Sequence, residues 1–126
     1  MRTHILPTSH ATICNKNYTL YQVSEIESCA GIFMILNDSD EITIISTQQL
    51  EKYLSKNEGW VHISICIDTP PESTGIMALI SGVFAQHRVS IFPVASVSKA
   101  HIFVKNTELP QAKKCLEELG ISHSQA

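Results

Sequence analysis

One stretch decides the fold, residues 60–105, and it runs WVHISICIDTPPESTGIMALISGVFAQHRVSIFPVASVSKAHIFVK. Its opening, residues 60–67, has apolar side chains at alternate positions, which is typical of a strand with one buried face. Two prolines end that strand, and a cap at Ser73 or Thr74 is expected before the helix. Residues 75–88 then carry apolar side chains at the spacing of an amphipathic helix. A strand followed by a helix is therefore predicted.

The rest of the second half continues this pattern. Two further strands are predicted at residues 90–94 and 100–105, and a helix follows whose apolar positions end at Gly120. A short last strand is expected at residues 121–122. Residues 60–122 therefore predict the order β-α-β-β-α-β, a ferredoxin-like arrangement in which helices back an antiparallel sheet, and the fold class is α+β.

The first half imitates this order less regularly. A strand is predicted at residues 9–14 and a short helix at residues 20–29. Residues 31–36 and 41–46 predict a hairpin around four turn-forming residues, and a helix is expected from Gln48. After a turn at residues 56–59 the second half begins. We therefore expect two units, a degenerate one at residues 1–59 and a regular one at residues 60–126, that pack together because each is small.

Composition limits the kind of protein. With 44% hydrophobic residues the chain can form a core, and nine Lys and Arg against twelve Asp and Glu argue against nucleic acid as a partner. No apolar run reaches the roughly 20 residues that a membrane helix needs. The cysteines form no Cys-x-x-Cys pair and the N-terminus has no secretory apolar segment, so a cytoplasmic location is expected.

Residues 68–105 contain a set of recognisable motifs: Asp68, Ser73-Thr74-Gly75-Ile76, His87-Arg88, Ser90-Ile91-Phe92-Pro93-Val94 and Ile102-Phe103-Val104-Lys105. These motifs resemble the ACT domain family, whose members are regulatory modules that bind small molecules, usually amino acids. The likeness extends more weakly to the first half, and is greatest with small bacterial tandem ACT-like proteins related to Castor-type amino-acid sensors. It implies two ACT-type units.

The resemblance also implies a binding site. Backbone N–H groups at the start of the helix after Thr74 would receive a carboxylate, and Gly75 would let it approach closely. Any strand-to-helix connection needs a cap and a tight turn, so a purely structural role for this turn stays open. The residues assigned to ligand binding are Ser73, Thr74, Gly75, Ile76, Ser90, Ile91, Phe92, Ser96, Ser98 and Lys99.

The chain departs from its tandem relatives after Phe92. They typically continue Ala-Ile-Ser-Thr-Tyr-Asp-Thr-Asp, and both acidic positions are replaced here, by Ser98 and Ala100 on either side of Lys99. We therefore do not expect this turn to favour a basic ligand such as arginine, because no acceptor-only carboxylate remains to hold it. The site would prefer an acidic or neutral ligand, or has lost binding.

Catalytic and metal-binding patterns are absent from the sequence. The histidines form no His-x-x-x-His or His-Glu-x-x-His pair, and Ser90 lacks the Gly-x-Ser-x-Gly elbow. His62 and His101 are expected on a solvated sheet face or edge, and His87 at a helix end where the dipole favours it. We therefore expect neither catalysis, nor a metal, nor a cofactor.

Two functional hypotheses remain. The first is a regulatory protein that binds an amino acid or a related small carboxylate. The second is a protein-interaction or structural module of the same fold that binds no metabolite. Self-association is expected in either case, with a homodimer as the predicted state, because an uncovered strand edge favours pairing with a neighbour.

Overall fold

The computed structural model describes residues 9–26, 30–67 and 75–126. Within these ranges the strands are β1 (His10–Val23), β2 (Ile32–Asn37), β3 (Ile42–Ser46), β4 (Ser55–Cys66), β5 (Phe92–Ala95), β6 (Lys99–Lys105) and β7 (Ser122–Gln125). The helices are α1 (Ile76–Gln86) and α2 (Leu109–Glu118), and a 3-10 turn at Asn106–Glu108 precedes α2. The predicted α+β class is confirmed.

The first of two compact units contains the residues up to Asn15 together with Val61–Ala126. Its strands lie in the order β7, β1, β4, β6, β5, and β5 and β6 form an antiparallel hairpin. The start of β1 pairs in parallel with β7, so that His10 lies opposite Ser122. The β-α-β-β-α-β order predicted for residues 60–122 is therefore present, with the start of β1 as an added strand beside β4.

The core of this unit lies between the sheet and the two helices. Val61, Ile63 and Ile65 of β4 are buried at alternate positions, as the period of a strand requires. They belong to one cluster with Phe84 of α1 and Leu116 of α2. The predicted helix face is correct for Phe84 but wrong for Leu79, which is 41% exposed.

Both helices end in the same backbone motif. After α1, Arg88 has φ 58° and the N–H of Val89 donates to the carbonyl of Phe84 at 2.9 Å. After α2, Gly120 has φ 76° and the N–H of Ile121 donates to the carbonyl of Leu116, also at 2.9 Å. This left-handed termination stops α1 at Gln86, two residues before the predicted end.

The second unit is Lys16–Trp60, in which the strand order is β2, β3, β1, β4. The predicted hairpin is confirmed, since β2 and β3 pair antiparallel and the N–H of Asp38 donates to the carbonyl of Glu41 at 2.8 Å. Tyr21, Val23 and Ile44 form its buried cluster.

Three predictions in the first half are wrong. Residues 20–23 of the predicted helix lie in β1, because Thr19, Tyr21 and Val23 alternate into the interior and pair with β3; residues 27–29 lie outside the described ranges. The helix expected from Gln48 is absent at residues 48–54, where Leu54 is 64% exposed and offers no apolar helix face. Residues 56–59 lie inside β4 rather than in a turn.

Candidate functional site

The predicted ligand-binding residues fall at three places in the first unit. Ser73 and Thr74 lie outside the described ranges, and the other eight are described. Gly75 and Ile76 are at the start of α1. Residues 90–92 lead into β5, and Ser96, Ser98 and Lys99 form the turn between β5 and β6.

Two of these places share one end of the sheet. A helical crossover between strands of one sheet joins strands that run in the same direction, and α1 connects β4 to β5 in this way. The start of α1 follows the end of β4, and the turn before β6 follows the end of β5. The start of α1 and the turn between β5 and β6 therefore lie at the carboxyl ends of β4 and β5. No hydrogen bond among the described residues joins the helix start to the turn.

Among the described residues, none fills the space beside Gly75 at the start of α1. The N-cap is Gly75 with φ 84°, and no side chain in the described ranges caps the helix; the predicted caps, Ser73 and Thr74, lie outside those ranges. A Cβ built at Gly75 meets no described atom within 4 Å, and the first turn of α1 holds no acidic residue. The first N–H groups of a helix have no intrahelical acceptor, and the dipole there favours an anion.

The turn between β5 and β6 presents polar groups to solvent. The N–H of Ser96 donates to the carbonyl of Lys99 at 3.0 Å, which closes the turn. Val97 at its tip is 87% exposed, and Ser98 and Lys99 are exposed beside it. This turn therefore combines two hydroxyl groups with one ammonium group.

A pair of histidines, assigned by the sequence to a solvated surface, lies directly behind this turn. The Nε2 atom of His62 is 2.9 Å from the Nδ1 atom of His101, and the Nε2 atom of His101 is 2.8 Å from the Oγ atom of Ser96. The His62 ring stacks on the ring of Phe103, with centroids 5.0 Å apart. His101 is only 8% exposed and His62 is half-buried, so that prediction is wrong.

Both imidazoles are held neutral. Burial lowers the pKa of His62 from 6.5 to about 4, with His101 and Lys99 adding to the effect. Burial also lowers the pKa of His101, and the Lys99 ammonium lowers it further. At neutral pH the group of polar atoms behind the turn therefore carries one positive charge, on Lys99, and two neutral rings.

Of the remaining predicted residues, Ser90 is exposed, and three others pack rather than present polar groups. Ile76 and Ile91 lie against the core cluster of the first unit. Phe92 lies opposite Phe103 in the β5–β6 hairpin, with ring centroids 6.1 Å apart. These three side chains shape the site without supplying hydrogen bonds to a ligand.

Other histidines of this unit also make polar contacts: the Nδ1 atom of His10 lies 2.7 Å from Oγ of Ser122, and its Nε2 atom lies 2.9 Å from Oγ of Ser124. His87 caps the end of α1, and its Nε2 atom lies 2.9 Å from Oε1 of Glu118, which joins the ends of the two helices. Within the described residues no group of three or more His, Cys, Asp or Glu side chains is placed to hold a metal ion. In the same ranges, no helix is long and apolar enough to span a membrane.

The fold and the position of these groups define a small ferredoxin-like domain with a polar end. A family model described as the ACT domain matches residues 55–118, half of the 126-residue chain. The chain belongs to the ACT domain family, as the motifs around Gly75 and Phe92 indicate.

Solved structures share the fold at low sequence identity. A protein from Agobacterium tumefaciens is 18% identical with a TM-score of 0.77, covering 94% of this chain and 93% of that one. A Vibrio cholerae protein of unknown function, described as a possible transport protein, is 16% identical with a TM-score of 0.72, covering 93% and 94%. The ligand-free regulatory subunit of aspartate kinase from Thermus thermophilus is 8% identical with a TM-score of 0.65, covering 90% and 97%. A search of curated proteins matched none.

Proposed function

We propose that this protein is a regulatory protein that binds a small carboxylate, an amino acid or a close relative, where α1 begins. The start of α1 carries the proposal: among the described residues, no atom fills the space beside Gly75 and no side chain caps the first turn. A carboxylate accepts hydrogen bonds from such N–H groups and is stabilised by the helix dipole. This role needs no catalytic step and fits a cytoplasmic protein.

The charge of the turn indicates which ligands suit the site. Lys99 is exposed, and His62 and His101 are neutral because burial lowers their pKa values. Beside the Lys99 ammonium and two neutral imidazole rings, a ligand with a second acidic group or a neutral polar end is favoured over a ligand with a basic end. We therefore place acidic and neutral amino acids and keto acids ahead of arginine and lysine.

Thermal unfolding against the twenty amino acids and common keto acids, each at millimolar concentration, tests this function. A ligand that binds only the folded state, at 100 times its dissociation constant, adds about 2.7 kcal/mol. For a chain of this size we expect a rise in melting temperature on the order of 5 to 10 °C. If no compound in the panel raises it reproducibly, the ligand-binding function is wrong.

The position of the site is tested by Gly75→Asn and Gly75→Val on the compound that gives the rise. Asn tolerates the left-handed conformation at φ 84°, whereas Val adds backbone strain and lowers stability. Gly120→Asn is the matched control, because Gly120 has φ 76° at the far end of α2. We expect calorimetry to show lost binding for both Gly75 variants and unchanged binding for Gly120→Asn. Unchanged affinity in Gly75→Asn would move the site elsewhere.

The contribution of Lys99 is tested separately. Lys99→Glu should weaken an acidic ligand by an amount that shrinks as salt rises, because exposed charges are screened within about 8 Å at physiological ionic strength. Lys114→Glu, an exposed position on α2, is the charge-matched control. Equal affinities of the two variants for the ligand would show that Lys99 is a solvated residue of the turn and does not contribute to binding.

A second function, a protein-interaction module, is supported by the edge of the second unit. Strand β2 is the outer strand there, and Ile35 and Leu36 on it are 39% and 55% exposed. Apolar edge strands favour pairing with another chain. We propose a homodimer as the state that covers this edge, and this function would lead if the ligand panel gave no response.

The proposal also keeps the division into two ACT-like units, residues 1–59 and residues 60–126. The family match to residues 55–118 supports the second of these. In the first unit, the hairpin of β2 and β3 is the part that follows the ACT-type order. The helices predicted on either side of this hairpin are not formed at the described residues.

A further inference from the structure

Separately from ligand binding, we propose that Ser96 is an activated nucleophile that takes up the acyl group of activated esters. In this assignment His101 is the base and His62 positions it. The Oγ atom of Ser96 lies 2.8 Å from Nε2 of His101, and Nδ1 of His101 lies 2.9 Å from Nε2 of His62. A nucleophile within hydrogen-bond reach of a base, with the base oriented by a third group, is the arrangement that covalent catalysis uses.

Both contacts are within hydrogen-bond distance, and the tautomer of each ring decides which atom donates. In the reactive arrangement Ser96 donates its proton to Nε2 of His101, and Nδ1 of His101 donates to Nε2 of His62. The competing contact from Ser96 Oγ to the carbonyl of Lys99 is longer, at 3.3 Å.

His101 is also in the protonation state that a base requires. Burial and the Lys99 ammonium lower its pKa, so that its ring is neutral at pH 7. The stack of His62 on Phe103, with an interplanar angle of 25°, holds the orienting ring in place. The base and its positioning residue are thus neutral and ordered before an ester arrives.

The turn leaves the hydroxyl accessible and places donors beside it. Ser96 is exposed, and Val97 next to it is 87% exposed. Among the backbone hydrogen bonds of turns and loops in the described residues, none is donated by the N–H group of Val97 or of Ser98. These N–H groups and the Lys99 ammonium are the groups able to stabilise a developing oxyanion on this side of the turn.

The reaction is an ordinary acyl transfer. The Oγ atom of Ser96 attacks the ester carbonyl carbon and forms a new C–O bond, while its proton passes to Nε2 of His101. The bond from the carbonyl carbon to the leaving alkoxide or phenoxide then breaks, and His101 returns the proton to the leaving group or to water. The product is an O-acyl serine at residue 96, and the step needs no further reactant.

The test uses the full chain with p-nitrophenyl acetate and, in parallel, with a fluorophosphonate probe at pH 7.5, followed by intact mass and peptide mass spectrometry. We expect one adduct per chain, on Ser96, in the unaltered protein. We expect no adduct at residue 96 in Ser96→Ala. Ser39→Ala is the control, because Ser39 is exposed in the turn between β2 and β3 and its hydroxyl contacts Asp38 rather than a histidine, and this variant should react like the unaltered protein. His101→Gln should lower the labelling rate by about 100-fold or more, the usual contribution of a general base.

The role of His62 needs variants that separate position from packing. His62→Phe removes the acceptor for the Nδ1 proton of His101 and should slow labelling, whereas His62→Gln keeps an acceptor and should restore most of the rate. Far-ultraviolet circular dichroism and melting curves establish that each variant is folded before its rate is compared. The proposal is overturned if no adduct forms, if Ser96 and Ser98 are labelled equally, or if folded His101→Gln reacts at the original rate. A ligand response in the melting panel would be unaffected by any of these results.

Discussion

The Nε2 atom of His62 lies 2.9 Å from the Nδ1 atom of His101, and the two rings stack with centroids 5.1 Å apart and an interplanar angle of 25°. The two residues are 39 positions apart in the chain and come from β4 and β6, which are neighbours in the sheet. This pair connects strand β4 to Ser96 in the exposed turn. It also makes the stability of the protein depend on pH.

We expect stability to fall between pH 6.5 and pH 4. Burial lowers the pKa of His62 to about 4 in the folded state, and the unfolded chain keeps the ordinary value of 6.5. In that window the unfolded state binds a proton that the folded state does not. The contribution of His62 to the free energy of unfolding is therefore fully present above pH 6.5 and is lost as the pH falls toward 4. The shift corresponds to about 3 kcal/mol at most, and solvent around the half-buried ring reduces this to about 1–2 kcal/mol.

Urea unfolding at pH 7 and pH 4.5, for the unaltered protein and for His62→Gln, measures this dependence. The unaltered protein should lose more stability between the two pH values than His62→Gln, because the variant lacks the titrating ring. Equal losses in both proteins would show that His62 does not titrate in this window.

Gly31 should tolerate no side chain. It has φ 83°, and a Cβ at this position would lie 2.5 Å from Oγ1 of Thr47. We expect Gly31→Ala to lower the free energy of unfolding by about 1–3 kcal/mol, through backbone strain and displacement of Thr47. Gly82→Ala is the control: its Cβ meets no described atom within 4 Å and it lies inside α1, so it should add about 0.5–1 kcal/mol. Chemical denaturation of both variants measures whether the free energy of unfolding falls in Gly31→Ala and rises in Gly82→Ala.

The end of α1 carries strain that the end of α2 avoids. Arg88 occupies the left-handed position with φ 58°, where α2 has Gly120. Arg88→Gly should therefore raise the free energy of unfolding by about 0.5–1 kcal/mol, and Gly120→Arg should lower it by a similar amount. If Arg88→Gly were destabilising, contacts of the Arg88 side chain would outweigh its backbone strain.

Self-association is expected through the edge strand β2. Sedimentation velocity at tens of micromolar should show a dimer, and Leu36→Lys should shift it toward monomer, because a lysine on an edge strand opposes pairing. Leu79→Lys is the control, since Leu79 is 41% exposed on α1 instead. A monomer at these concentrations would exclude the dimer, and a dimer unaffected by Leu36→Lys would place its interface elsewhere.

Local pattern was enough for the second half of the chain. Alternating residues in β4 and the spacing of Ile80 and Phe84 in α1 predicted elements that the structure contains, because the local period and the buried face agree there. The same reasoning failed at Leu20, where the buried positions of β1 pair with β3. Pairing between distant strands decides such segments, and a short apolar run contains no information about its partner.

The sequence by itself determined the ferredoxin-like order of the second half and the lack of an excess of basic residues, since both follow from residue type and local spacing. The resemblance to tandem ACT-like proteins added the loss of both acidic positions around Lys99. Only the tertiary structure decided that His62, His101 and Ser96 form one hydrogen-bonded group. Neighbouring strands bring their side chains together across the sheet, and which residues meet depends on the pairing of β4 with β6 rather than on spacing along the chain. The polar end of the first unit therefore combines a helix start recognisable from sequence with an imidazole pair created by folding.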